Sequence, residues 1–370
     1  MISPTQPDPD ALLPDPEQAG QRRLLDAVGN RLEEAVRVVE DQLRFRYGLS
    51  AQPKAWREIR HEAATLRRAI GGGSPLALSR DVGSDPGHPQ RAPSAGGHRD
   101  PADLLSANFA RAREASRSLE EELRCVDPKA ARLAERLRYR VYALESAALG
   151  QITRGPRLHD ARLYVLVTTS LCRGAPEEVT QAALDGGAQI IQLREKEMEG
   201  REFLQLAERL RALTERAGAL LIINDRVEIA HLIGADGVHL GQGDILPSAA
   251  RRILGDRALI GLSTHAPEEA ARAAIEGADY IGVGPIFETM TKEHRASVGP
   301  EYIAQAKAVT DLPGYAIGSV KRDNVDDLIA AGADRIAVCT GVISQDDVRA
   351  SAKFFRDKLD AAAANSPEEP

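Results

Sequence analysis

From residue 160 onward the sequence alternates short apolar runs with segments of helical spacing, eight times in about 200 residues. The runs are "LYVLVTT" (163–169), "QIIQLRE" (189–195), "LLIIND" (220–225), "GVHLG" (237–241), "LIGLST" (259–264), "YIGVGPI" (280–286), "GYAIGSV" (314–320) and "RIAVCT" (335–340). A strand buried on both faces reads as a continuous apolar run, and a helix between successive strands makes them pair in parallel. Eight such units predict a (β/α)8 TIM barrel over residues 157–365. A doubly wound open sheet is the alternative, but it does not require eight units. "GGA", "IGAD", "EGAD" and "AGAD" precede runs two, four, six and eight, where the glycine ends one helix before the next strand begins.

The first 150 residues have a different texture. Residues 1–18, rich in Pro, Asp and Gln, are expected to be disordered. Residues 19–150 read as an all-helical domain, with helical spacing over 20–70 and 102–149 and a Gly/Pro-rich connection over 71–101. The fold class is therefore α/β, a barrel preceded by an all-α domain. An internal repeat spans the two helical stretches at an offset of 80. Arg31, Glu34, Ala35, Arg37, Glu40, Asp41, Leu43 and Arg44 match Arg111, Glu114, Ala115, Arg117, Glu120, Glu121, Leu123 and Arg124. On a helix, positions 31, 34, 37, 41 and 44 share a face. Two readings follow: salt-bridged amphipathic helices related by duplication, or an Arg/Glu-lined site between them.

Composition removes several function classes. Hydrophobic residues at 43% and charged residues at 28% describe a soluble globular chain. A net charge of −7 argues against a general polyanion binder, and 4% aromatics argue against stacking platforms for single strands. No run approaches the roughly 18 apolar residues that span a membrane. The N-terminus lacks the basic and apolar regions of a secretory signal, so a cytoplasmic location is expected. The three cysteines, Cys125, Cys172 and Cys339, lie too far apart in sequence for a disulfide framework or a metal spacing. Only eight of the 48 basic residues are lysines, which gives extra weight to any lysine in a chemically suggestive place.

Active sites in such barrels form where the strands end. Here the second run ends in Gln192, Leu193, Arg194, Glu195 and Lys196, the third in Asn224 and Asp225. "HLGQGD" after the fourth reaches Asp244; the fifth ends in Ser263, Thr264 and His265. The sixth runs into Thr289, Met290, Thr291 and Lys292, the seventh into Gly318-Ser319, the eighth into Cys339-Thr340-Gly341. The opposite ends carry Gly, Ala and ordinary surface residues. Asp225 and Asp244, on neighbouring strands, suit Mg2+, a hard cation that often takes few protein ligands. Gly318-Ser319 and Thr340-Gly341 occupy the usual phosphate position of these barrels. The pattern describes a diphosphate clamped by a metal and cations, facing a separate monophosphate. His239, alternating with Val238 and Leu240, reads as a satisfied core histidine, and His265 lies at the mouth.

"QLREK" (192–196), "INDRVEIA" (223–230), "ADGVHLGQGD" (235–244), "GLSTH" (261–265), "YIGVGPIFETMTK" (280–292) and "AIGSV" (316–320) closely resemble thiamine-phosphate synthases, in order and over about 160–360. That family joins a hydroxymethylpyrimidine diphosphate to a thiazole phosphate and releases pyrophosphate. The resemblance implies that the 192–196 stretch, Asn224, Ser263 and Lys292 hold the pyrimidine diphosphate. Arg194, Lys196, Ser263 and Lys292 would be catalytic, and Asp225 and Asp244 would ligate Mg2+. Thr289, Met290, Thr291, Ser319, Cys339 and Thr340 would line the thiazole phosphate site. Three positions depart from the family pattern. Ser319 stands where a second Gly is usual, Cys339-Thr340 where a hydrophobic residue and Ser are frequent, and Met290 where an acidic residue is common.

The helical region resembles an extension fused to this synthase in some bacteria, which has been linked to pyrimidine phosphate kinase chemistry. No Walker-type or kinase-type loop accompanies it, and Val28 stands where that form tends to carry Asn. Small-molecule substrates are the implied partners, with no nucleic acid and no membrane, and a homo-oligomer is compatible with the chain. Two rivals are a thiazole tautomerase of the same barrel family, which needs neither metal nor diphosphate, and a non-catalytic sensor of thiamine intermediates.

Overall fold

The computed structural model describes residues 16–70, 98–288 and 297–364. Most of the expected disordered tail and of the 71–101 connection lies outside these residues, as do Thr289, Met290, Thr291 and Lys292. Two compact units divide the chain, residues 1–145 and 146–370.

The first unit contains α1 (Pro16–Phe45), α2 (Ala51–Ile70), α3 (Pro101–Val126) and most of α4 (Pro128–Arg154). Leu25, Val28, Leu32, Val36, Val39 and Leu43 recur every three or four residues along α1 and are buried, which is why α1 packs against both α2 and α3. Asp100 caps α3 by accepting the Asp103 N–H at 2.8 Å, and Pro101 supplies the first helical position. Part of the 80-residue repeat is structural. Glu40 is buried and ion-paired with Arg57 (2.6 Å) and Arg60 (3.2 Å) of α2. Its repeat partner Glu120 is fully buried against Arg124 and Arg138, each at 2.5 Å.

The second unit is a closed barrel of eight parallel strands in chain order, so the open sheet is excluded. They are β1 (Leu163–Val167), β2 (Ile190–Leu193), β3 (Leu220–Asn224), β4 (Gly237–Leu240), β5 (Leu259–Thr264), β6 (Tyr280–Val283), β7 (Gly314–Ile317) and β8 (Ile336–Val338). Pairing runs from Tyr164↔Ile190 around to Tyr164↔Ala337, which closes the ring. Around it lie α5 (Pro176–Asp185), α6 (Gly200–Ala217), α7 (Val227–Leu232), α8 (Pro247–Leu254), α9 (Pro267–Glu276), α10 (Glu301–Val309), α11 (Val325–Ala330), α12 (Thr340–Ile343) and α13 (Val348–Ala364). Because successive side chains on a strand face opposite ways, Val165, Ile191, Ile223, Val238, Ile260 and Ile281 pack outward in the core that includes the helices. Tyr164, Ile190, Ile222, Leu259, Tyr280 and Tyr315 form a separate core inside the ring. Gly261 makes that interior possible: a Cβ there would overlap the rings of Tyr280 and His239.

The strand starts are not ordinary surface. Asp279, buried at the start of β6, accepts from the Ile260 N–H (2.8 Å), Arg251 (2.5 Å) and Arg154 (2.6 Å). Asp236, before β4, does the same with the Leu221 N–H (2.9 Å), Arg211 (2.7 Å) and Arg157 (2.6 Å). The recurring "GAD" therefore does two jobs, ending a helix and tying the preceding strand. The second compact unit begins at residue 146 and so includes Arg154. A chain beginning at 146 is expected to fold as the barrel. One beginning at 157, without Arg154, is expected to lose about 2 kcal/mol, the scale of a charge-assisted hydrogen bond. Urea unfolding of the two forms and of Arg154→Ala checks this; equal midpoints would remove the role given to Arg154.

Candidate active site

The C-terminal ends of the strands surround a cavity of about 160 Å3. Its floor is built from inward-facing strand residues. Gln192 of β2 donates through Nε2 to the Tyr164 hydroxyl at 2.6 Å, and the Tyr164 and Tyr280 hydroxyls lie 3.1 Å apart. His239 of β4 bonds Ser263 Oγ through Nε2 (3.0 Å) and faces the Tyr280 hydroxyl through Nδ1 (3.3 Å). The Tyr315 hydroxyl donates to the Ala161 carbonyl at 2.8 Å and seals the bottom. Burial holds the phenols of Tyr164, Tyr280 and Tyr315 well above their ordinary range, so all three are neutral. The floor is a neutral hydrogen-bonding surface suited to a heteroaromatic ring.

Charge is confined to the mouth. Beyond β2 the alternation continues, so Arg194 and Lys196 line the cavity together with Gln192, Asn224, Asp225, Asp244, Ser263 and His265. Lys196 pairs directly with Asp225. Asp244 accepts the Gly241 N–H at 2.7 Å. Burial raises the Asp225 carboxyl, Lys196 works against that rise, and the Asp244 charge adds to it. Among the described residues no three His, Cys, Asp or Glu side chains cluster as metal ligands. The pair Asp225 and Asp244 nonetheless fits a hard divalent cation, since the Asp244 charge adds to the cost of ionising Asp225 and a positive charge beside them would relieve it. On the other side, Gly318, Ser319, Cys339 and Thr340 complete the lining. Gly318 (φ 112) and Ser319 (φ 50) turn the backbone through the left-handed region. The serine there is braced by its Oγ donating to the Glu288 carbonyl at 2.5 Å.

Two residues expected in the site are turned away from it. Leu193 is fully buried in the core outside the strands. Glu195 accepts the Thr169 N–H and so secures the turn after β1. Both follow from the period of two, which sends 193 and 195 outward when 192, 194 and 196 face in. The reading of the sequence also missed Tyr164, Tyr280 and Tyr315. Their signal was available, because three of the chain's seven tyrosines fall in the apolar runs of β1, β6 and β7. His239 is satisfied, as expected, but inside the cavity. His265 is anchored at the mouth by the Gly284 carbonyl.

Residues 163–342 match the family described as thiamine monophosphate synthase, and residues 23–147 match the ThiD2 family. A thiamine-phosphate synthase of Gloeobacter violaceus is 44% identical over 341 residues, covering 91% of this chain and 96% of that protein. The chain belongs to the thiamine-phosphate synthase family. A synthase from Thermosynechococcus vestitus is 39% identical across 97% of its own length, so the likeness includes the helical region. The solved thiamine phosphate pyrophosphorylase of Pyrococcus furiosus superposes with a TM-score of 0.52 at 33% identity, covering 56% of this chain and 98% of that one. The resemblance carried by the six motifs is thus borne out, and with it a transferase of thiamine biosynthesis.

Cys339 is where this synthase family member has a thiol at its mouth. Burial pushes that thiol up to about 11, with the Arg194 guanidinium pulling the other way. A thiol of that kind is protonated at neutral pH and is no nucleophile. Alkylation of Cys339 by iodoacetamide, read by peptide mass spectrometry, is expected to be slow at pH 7 and to speed up about tenfold per pH unit until pH approaches 11. Cys339→Ser is expected to keep its turnover. Rapid labelling at neutral pH would contradict the assignment.

Proposed function

We propose that the cavity binds the pyrimidine diphosphate with its ring on the neutral floor and its diphosphate at the β2–β4 side of the mouth. The observation that carries this reading is the separation of charge: a floor of buried phenols, amide and hydroxyl, and above it Arg194, Lys196, Asp225 and Asp244. Gln192, Asn224 and Ser263, all buried at the floor, orient the ring by hydrogen bonds. Arg194 and Lys196 receive the diphosphate oxygens. Asp225 and Asp244 hold Mg2+, which when bound neutralises charge on the diphosphate.

The bond between the pyrimidine methylene carbon and the diphosphate oxygen breaks with both electrons leaving on pyrophosphate. Arg194 and Lys196 stabilise the charge that develops there, and Lys292 is assigned the same task from its place in the family motif. The thiazole nitrogen then gives its lone pair to the methylene carbon. No proton has to be removed, which agrees with a site whose phenols and thiol are held neutral. The Gly318-Ser319 turn, Thr340 and, by family likeness, Thr289 and Thr291 hold the thiazole phosphate so that its nitrogen faces that carbon. Cys339 adds apolar wall. Neither the tautomerase nor the sensor reading explains why cations and paired carboxylates are kept at one mouth. Release of pyrophosphate with both substrates and Mg2+ present, and none with either substrate omitted, is the direct test.

Asp225→Asn and Asp244→Asn are expected to raise the Mg2+ requirement at least about tenfold, the scale of losing one charge-assisted contact, and to slow turnover. Thiazole phosphate affinity should be spared. Equal loss for both substrates would contradict the two-sided arrangement.

Lys292→Ala is expected to lower turnover at least about tenfold, equivalent to about 1.4 kcal/mol of barrier. Lys292→Arg should recover part of it, since a planar guanidinium does not place charge as an ammonium does. Unaltered turnover in Lys292→Ala would remove this lysine from the site.

A further inference from the structure

The strand ladders stop short of the groups the reaction needs. Pairing of β1 with β2 ends at Val167↔Leu193, and pairing of β1 with β8 ends at Val165↔Val338. Arg194 and Lys196 lie beyond the first of these ends and Thr340 beyond the second, so the regular sheet does not by itself hold them in place. Between them runs the exit of β1, residues 168–173, which folds into a single 3-10 turn at Thr169–Leu171. Among the described residues, none of these six lines the cavity.

On one side this turn is bonded to the charged end of β2. The Arg194 N–H donates to the Val167 carbonyl and the Thr168 hydroxyl donates to the Arg194 carbonyl, both at 2.9 Å, so β1 holds the peptide groups on each side of Arg194. The Thr169 N–H donates to the Glu195 carboxylate, whose charge strengthens the bond. On the other side the turn is bonded to the end of α12. Ser344 donates through Oγ to the Leu171 carbonyl at 2.7 Å, and the Arg173 N–H donates to the Ile343 carbonyl at 3.0 Å. α12 is one helical turn, closed by the Ile343 N–H on the Cys339 carbonyl at 3.0 Å, so Ile343 carries Thr340 with it. Leu171, Cys172 and Cys339 pack against the same outer core.

We propose that the β1 exit is a positioning strut that sets the separation between Arg194 and Lys196 on the diphosphate side of the mouth and Thr340 on the thiazole phosphate side. Thr168 and Ser344 are its two ends, and both act through other residues. This role rests on the proposed division of the mouth between the two substrates. Its consequence lies in how the reaction partitions. Once the carbon–oxygen bond has broken, the methylene carbon takes an electron pair from the thiazole nitrogen or from water. Capture by water forms a new carbon–oxygen bond and releases one proton, giving hydroxymethylpyrimidine beside the same pyrophosphate. A nitrogen held in line with the carbon wins that competition, and a displaced one loses it.

Chromatography of the products formed by the full chain, with both substrates and Mg2+ present, tests the strut through the ratio of hydroxymethylpyrimidine to thiamine phosphate. Loss of folded enzyme lowers both products together, so stability alone does not move this ratio. T168V, which removes the hydroxyl at nearly constant volume, and S344A are each expected to raise it about fivefold over wild type, the scale of one hydrogen bond. T168S, which keeps the hydroxyl, should restore the wild-type ratio. Because a strut cut at either end is released, T168V/S344A is expected to be no worse than the worse single variant. An unchanged ratio in either single variant, or single effects that multiply in the double, overturns the strut. R194A distinguishes a failure of the strut from a failure of the diphosphate assignment. Wild-type kinetics in R194A overturn that assignment and the strut with it, whereas impaired R194A beside unmoved T168V and S344A overturns the strut alone. Should T168V fail to fold, E195Q, which weakens the same end, takes its place with the same two outcomes.

Discussion

In a closed parallel barrel every side chain either faces the axis or faces the helices, and the choice alternates along each strand. The candidate site depends on that constraint. At the end of β2 five consecutive residues are divided by it: Gln192, Arg194 and Lys196 line the cavity, Leu193 joins the outer core and Glu195 ties down the turn after β1. The same alternation brings Tyr164, Tyr280 and Tyr315 together from β1, β6 and β7. Gly261, with no side chain of its own, leaves room for Tyr280 and His239.

What the alternation produces is a gradient of polarity along the barrel axis. Phenols kept neutral by burial form the bottom, amide and hydroxyl groups the middle, and charged groups the rim. Such an arrangement favours a reaction whose charge develops on a departing group at the mouth while the ring beneath needs only orientation. Backbone strain falls at the same rim. Among the described residues, Asp225 (φ 60) and Ser319 (φ 50) are the non-glycine residues in the left-handed region, and both line the cavity, in keeping with strain concentrating at functional sites.

The helical unit uses one repeated sequence for two purposes. Glu40 and Glu120 point inward and are neutralised by arginines of their own unit. Arg31, Glu34, Arg111 and Glu114, from the same repeat, face a cavity and remain apart. Read from the sequence alone, the repeat left salt-bridged helices and an Arg/Glu-lined site as alternatives; Glu40 and Glu120 are salt-bridged, while the other four are exposed and line a cavity.

Eight apolar runs, their punctuating glycines and the charged residues after the runs were legible because each is contained within one element and its immediate loop. The barrel, the end that carries the cavity and the placing of Gln192, Arg194, Asp225 and Asp244 there followed from them. The tyrosine floor, the turning away of Leu193 and Glu195, and the ion pairs of Asp236 and Asp279 were not legible. Those features join residues far apart in the chain, as Arg154 and Asp279 are by 125 positions, and only the register of a closed sheet brings them within bonding distance. Sequence alone determined which residues could carry the chemistry, since side-chain type and local spacing are properties of the chain. Tertiary structure decided which of them face one another, because that direction is set by strand closure and not by any neighbour in sequence.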